Sequence, residues 1–263
     1  MCLVLFAGHT HSAYPLVVAA NRDERFDRPA ASAAWWSDAP HVLAGRDLQG
    51  RGTWMGVTRD GRWSAVTNVR EPSIPQRPDA PSRGDLVAGF LRGADDARTF
   101  AARIATRAAE WNGFNLLVGD AEGVWWLSNR APGPARVEPG VHGLSNALLD
   151  TPWPKVERGR EDLARILAGP EEEMEEALFR TLALRDPAPD TRLPDTGVGL
   201  EWERALSSPF IALPDYGTRA STVLMIGRDG TVRFTERTVR GPEARFEFRL
   251  AHTEAQSHRE EWR

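Results

Sequence analysis

The sequence predicts an α+β protein built on antiparallel sheets, and three stretches carry that prediction. Each sets two short apolar runs on either side of a tight turn: 54–58 with 63–68, 114–119 with 124–129, and 222–227 with 231–235. The turns hold Gly61, Gly123 and Gly230. Glycine supplies the positive φ that short hairpins demand. Helical patterns lie between the hairpins rather than alternating with single strands, so the chain reads as layers of helix on antiparallel sheet and not as βαβ units.

In chain order, residues 2–7 (Cys-Leu-Val-Leu-Phe-Ala) read as a buried strand and 9–14 as a turn. Residues 15–21 read as a second strand, and the resulting hairpin places the chain start inside a sheet. A short helix is expected over 84–91 and a longer one over 96–111, where Phe100, Ile104 and Ala108 recur at the helical period. Helices over 157–167 and 171–184 are separated by Gly169-Pro170. The stretch 186–194 is rich in Pro and Asp and reads as a loop. No repeat and no domain boundary stands out, so 1–250 is expected to form one domain, followed by a polar, frayed tail over 251–263.

Composition narrows the function classes. With 33 basic against 37 acidic residues the net charge is −4, which draws no polyanion to a whole face and argues against a nucleic-acid partner. The apolar run at the start is too short to span a bilayer and lacks the basic flank of a signal peptide. One cysteine allows no internal disulfide, which fits a reducing compartment, and the expected location is cytoplasmic. Lys155 is the only lysine, and the ten tryptophans are expected in the core or in a pocket wall.

The first chemical signal is Met1-Cys2. Methionine aminopeptidases remove Met before a small residue, so Cys2 is expected to become the N-terminus. Its α-amine, with an ordinary pKa of roughly 8, can then take the thiol proton directly or through one water. The alternative is a cysteine serving as a small buried apolar residue. The second signal is Asn21-Arg22-Asp23-Glu24, ending the second strand beside the start of the first. Strand parity puts Asn21 and Asp23 on one face and Arg22 and Glu24 on the other. A carboxylate on the Cys2 side would hold the α-ammonium, and an arginine there would stabilise a thiolate. The alternative is a solvated charged turn.

Met1-Cys2-Leu3 together with Asn21-Arg22-Asp23-Glu24 resembles the NRDE family, named for that tetrapeptide, whose eukaryotic members are the transport and Golgi organization 2 proteins. Further matches are Asn68 after Ala-Val-Thr, Arg83-Gly84, Asn112-Gly113-Phe114-Asn115, Leu144-Ser145-Asn146, Trp153-Pro154-Lys155 and Tyr216-Gly217-Thr218-Arg219. They run from residue 1 to about residue 226. That family is in turn similar to choloylglycine hydrolases and penicillin V acylases, four-layer αββα N-terminal-nucleophile enzymes that cleave non-peptide amides with an N-terminal Cys.

The resemblance implies an N-terminal-nucleophile hydrolase acting on an amide or thioester of a small acyl-bearing molecule. Cys2 is the implied nucleophile and Asp23 orients its amine. Asn68 and Asn146 are the implied oxyanion donors, each aimed donor contributing roughly 3–4 kcal/mol. Arg22 and Arg219 are the implied substrate-binding residues. The acylase group carries Arg-Asn-x-Asp on its second strand, and that register puts Ala20 where the group has its arginine. Arg22 then falls on the other face, so the thiolate-stabilising guanidinium is missing unless Arg219 or an altered strand supplies it. The rival reading on the same fold is a binding or transfer protein for haem, acyl-CoA or lipid. No resident cofactor or metal is implied, and the His9 and His11 pair is discounted as a metal site.

Overall fold

The computed structural model describes residues 2–251. Met1 and nearly all of the expected tail, 252–263, lie outside the described residues. The expected hairpin is present as β1 (Cys2–Gly8) and β2 (Leu16–Arg25), with Cys2 opposite Arg22 and Gly8 opposite Leu16. β10 (Gly140–Leu144) covers the outer edge of β1. On the other side β2 pairs with β11 (Tyr216–Ile226), then come β12 (Thr231–Thr238) and β13 (Ala244–Arg249). The second sheet is a meander of β3 (Ala30–Trp36), β4 (Ala39–Asp47), β5 (Met55–Thr58), β6 (Trp63–Asn68), β7 (Phe114–Asp120), β8 (Gly123–Ser128) and β9 (Ala135–Val137). Every pairing in both sheets is antiparallel.

Three apolar clusters order the layers. Val4, Phe6, Val18 and Phe234 of the first sheet meet Leu43, Val57, Trp63 and Leu117 of the second. The outer face of the first sheet, with Leu3, Leu5, Val17 and Val223, is covered by α3 (Pro154–Leu167) and α4 (Met174–Leu182). The outer face of the second, with Val42, Val66 and Leu116, is covered by α1 (Gly84–Arg92) and α2 (Ala97–Ala105). The fold is therefore a four-layer αββα sandwich. β1 is apolar at successive positions because both its faces are buried, one against the other sheet and one against helices. Gly159 lets α3 lie close on β1, since a Cβ there would sit 2.6 Å from a Leu5 methyl.

The helix expected over 96–111 is shorter than its periodicity suggests. It stops at Ala105, and a 3-10 turn follows at Ala108–Glu110. Asn129 Nδ2 donates to the carbonyls of Ala108 and Trp111, both at 3.1 Å, and draws this stretch out of the helical path. The helix expected from 157 starts at Pro154, where proline suits the first turn. The one expected over 171–184 opens with a 3-10 turn, Glu171–Glu173, before α4. The loop at 186–194 carries one 3-10 turn (Asp190–Arg192), and α5 (Leu200–Leu206) follows it. No helix among the described residues is long and apolar enough to cross a membrane.

Candidate active site

A cleft of about 510 Å³ opens where the start of β1 and the end of β6 face each other across the two sheets. That volume suits a small molecule, since ligand pockets run to roughly 300–1,000 Å³. Cys2, Arg22, Asp23 and Asn68 line it. Cys2 is half-buried and is the only cysteine. Burial pushes its thiol up and the Asp23 carboxylate adds to that, while the Asp23 amide and the Arg22 guanidinium pull it back. A raised thiol stays protonated at neutral pH and needs a base within reach to become a nucleophile.

Residues directly opposite in an antiparallel pair share a face. Cys2 opposite Arg22 thus puts the two on the same side of the first sheet, the side turned to the second sheet. A guanidinium, that of Arg22, therefore lies on the same face of the sheet as the Cys2 side chain. Arg22 lies over the Trp54 ring at 4.1 Å and reaches Asp47 Oδ2 at 3.4 Å, with only 5% of its side chain exposed. Asp47 also accepts from Arg28 Nε at 2.6 Å and from the Gly50 amide at 2.7 Å. Arg22 is in this way fixed as a stationary charge beside Cys2.

Asn21 and Asp23 turn to the helical side, as parity requires. Asn21 Nδ2 donates to the carbonyls of Leu182 and Pro209, both at 2.8 Å, which is a structural role. Asp23 is buried and accepts from Thr218 Oγ1 at 2.6 Å. Burial pushes its carboxyl up and Lys155 opposes that shift. Lys155 is itself fully buried and pushed down to about 8 by desolvation, with Asp23 holding it up.

Asn68 and Asn146 do not act as equals in this geometry. Asn146 lies behind Asn68, fully buried, and its Nδ2 donates to the Asn68 carbonyl at 2.9 Å and to Asn68 Oδ1 at 3.1 Å. These bonds fix the Asn68 Oδ1, while Asn68 Nδ2 lies 3.4 Å from the Val69 carbonyl, a long bond that leaves the amide at the cleft wall. Ser145 Oγ sits 3.0 Å from the Cys2 carbonyl and 3.2 Å from Asn146 Oδ1. Thr67 Oγ1 donates to the Ser145 carbonyl at 2.6 Å. The start of β1 and the end of β6 are thereby tied through one buried polar network, and such networks fix geometry when their members are satisfied.

Arg219 is not on this cleft. The β2–β11 register slips between Thr218 and Ala220, so Arg219 is the extra residue of a bulge and is aimed away. Its Nη1 donates to the carbonyls of Arg25 at 2.8 Å and Arg28 at 2.5 Å. It lines a separate, smaller cavity that shares Arg22 and Trp54 with the cleft wall. His11 Nδ1 accepts from the amides of Ala13 and Tyr14, both at 3.2 Å, and shapes the turn before β2.

Residues 1–241 match the family model described as Transport and Golgi organisation 2. The chain belongs to that family. The Transport and Golgi organization protein 2 homolog of Bos taurus is 35% identical over 92% of this chain and 95% of its own length. The Homo sapiens homolog is 34% identical over 91% of this chain and 93% of its own. The Drosophila melanogaster protein of that name is 29% identical over 97% and 98%. Among solved structures the chain is similar to a Caenorhabditis elegans N-acylethanolamine-hydrolyzing acid amidase ortholog, at 12% identity and a TM-score of 0.46 over 85% of this chain and 92% of the other.

In this Transport and Golgi organisation 2 member, Arg83 and Lys155 stand in the sequence only as parts of the matching motifs. Arg83 lines the Cys2 cleft, and Lys155 is fully buried near Asp23. A lone lysine in a chain that otherwise uses arginine was a readable signal for Lys155. Arg83 gave none, because its place depends on where the loop before α1 packs.

Proposed function

We propose that this protein is a cysteine N-terminal-nucleophile hydrolase that cleaves an amide or thioester of a small acyl-bearing molecule. The observation that carries the reading is the meeting of Cys2, Arg22, Asp23 and Asn68 on one cleft, with Asn146 setting the orientation of Asn68. Removal of Met1 frees the Cys2 α-amine. The amine takes the thiol proton as sulfur attacks the carbonyl carbon, and the carbonyl electrons move onto oxygen. Asn68 Nδ2 donates to that oxyanion. Collapse of the intermediate breaks the C–N or C–S bond, and the ammonium returns its proton to the leaving nitrogen or sulfur. Water, deprotonated by the same amine, then releases the acyl group as a carboxylic acid.

Asp23 holds the ammonium, and Arg22 supplies positive potential to the thiolate. Arg219 falls outside this scheme by its position. A reducing, cytoplasmic setting suits a lone catalytic thiol. The test compares Cys2→Ala with Arg219→Ala in acyl-thioester hydrolysis and in haemin titration. Cys2→Ala should abolish hydrolysis, while Arg219→Ala leaves it within a few-fold. A haem spectrum that shifts on loss of Cys2, in a protein without hydrolysis, would instead make Cys2 an iron ligand and the protein a carrier.

A further inference from the structure

Four arginines line the Cys2 cleft: Arg22, Arg28, Arg77 and Arg83. Two are held by a carboxylate, and the other two donate to backbone carbonyls, Arg83 through a single bond. Arg22 and Arg28 both reach Asp47, at 3.4 and 2.6 Å. Arg77 Nη2 donates to the carbonyls of Ala109 and Glu110, at 2.8 and 2.6 Å. Arg83 makes one hydrogen bond, from Nη1 to the Gly113 carbonyl at 3.0 Å, and has no carboxylate at ion-pair distance among the described residues. It is half-buried, and desolvation pushes its guanidinium down. A guanidinium taken partly out of water with carboxylates, those of Glu24 and Glu71, acting only from beyond ion-pair distance is under-compensated, and an arriving anion recovers part of that cost. The Arg83 fork also presents the geometry that matches a planar or tetrahedral oxyanion.

The position is held firmly. Arg83 immediately precedes α1, and the Gly84 backbone packs on Gly52 so closely that a Cβ on Gly52 would meet the Gly84 carbonyl carbon at 2.4 Å. Thr53 N–H donates to the Gly84 carbonyl at 3.3 Å. Arg83 therefore lines the cleft from a braced backbone, on the same cleft as Cys2. We propose that Arg83 is an anion-binding residue and that the acyl molecule taken by this cleft carries a carboxylate or phosphate close to its scissile carbonyl. That the anion is part of a cleaved acyl molecule rests on the hydrolase reading; an anion subsite beside Cys2 does not.

Because Cys2 is the only cysteine, its alkylation is unambiguous by intact mass. Rates are measured for anionic iodoacetate and neutral iodoacetamide on the protein and on free cysteine. The ratio of the two rates cancels any effect of Arg83 on thiolate formation. It should exceed the free-cysteine ratio by roughly ten-fold, the scale of a charge-assisted contact. Arg83→Gln should remove most of that excess, leaving only the share that Arg22 contributes, and Arg83→Lys should keep more of it. Equal ratios in the native protein and Arg83→Gln would overturn the proposal. Protection by inorganic phosphate exceeding that by acetate assigns a phosphoryl group, the reverse assigns a carboxylate, and protection by neither overturns it. A second arm needs no reactive thiol: Cys2→Ala protein is titrated calorimetrically with N-decanoylglycine and with its neutral amide. Tighter binding of the anion, lost on adding Arg83→Gln, supports the subsite even where no turnover is found, and equal affinities overturn it.

Discussion

A thiol that burial keeps protonated does nothing until a neighbour takes its proton, and the neighbours of Cys2 divide that work. In the proposed mechanism Arg22 provides charge and Asn68 a donor, and the bonds of Asn146 and Ser145 hold the frame around them. Asn146 does not line the cleft, so Asn146→Ala should lower kcat by roughly ten- to a hundred-fold, as expected for about 1–3 kcal/mol of lost polar support. KM should stay within a few-fold, and steady-state kinetics on the variant checks this; a KM effect with unchanged kcat contradicts it. Intact mass should also show the protein short of one methionine residue, and Met1 retained in an active sample would remove the free-amine mechanism. At this scale the sequence told much. Cys2, Asp23 and Asn68 were legible because their motifs stand at strand ends. Which face Cys2 shares was not, because parity sorts Arg22 from Asp23 while only the Cys2–Arg22 register says which of them joins the thiol. The bulge at Arg219 was hidden for a similar reason, since an inserted residue leaves no mark on residue type.

Elements carry these residues to the cleft, and two joints can be tested. The Gly52–Gly84 contact sets α1, and with it Arg83, against the second sheet. Gly52→Ala drives a methyl into backbone and should cost about 1–3 kcal/mol, as overpacking does. A lowered denaturant midpoint with an unchanged slope reads this out, and an unchanged midpoint contradicts it. The second joint pins β10 to the loop after it. His142 Nδ1 lies 2.7 Å from Asp150 Oδ2 and the ring stacks on Phe6 with centroids 5.2 Å apart. The Asp150 hydrogen bond raises the His142 pKa above its ordinary 6.5. A raised folded-state value means that the stability it adds is full below about 6.5 and is lost as pH climbs through the raised value. Between pH 6 and 8 the melting temperature of the native protein should therefore fall more than that of His142→Gln, and parallel curves would show the pair to be without consequence. The hairpins around Gly61, Gly123 and Gly230 were legible from their turns. β3 and β4 were not, because bulges between Ala31 and Ala34 and between Trp35 and Trp36 break the alternation that marks a strand.

Across the whole molecule, three apolar clusters hold four layers, and the middle one joins the two sheets that meet at the cleft. Phe234 is buried in that middle cluster. Phe234→Ala should cost about 3–5 kcal/mol, a large part of a typical stability of roughly 5–15 kcal/mol. Thermal or chemical denaturation measures it, and a loss below about 1 kcal/mol would mean the sheets are not held together there. The layer order followed from family resemblance, whereas composition and periodicity gave only antiparallel sheets with helices between them; stacking depends on which face of each strand is apolar, and strands buried on both faces, such as β1, do not say. The proposed mechanism makes Cys2 the nucleophile that carries the acyl group. Mixing the protein with a carboxylate-bearing acyl thioester, quenching in acid and measuring intact mass followed by peptide mapping tests it. One acyl group is expected on a protein lacking Met1, localised to Cys2, absent in Cys2→Ala and accumulating when hydrolysis is slow. Thioester turnover that persists unchanged in Cys2→Ala, with no acyl adduct at any time, would contradict it.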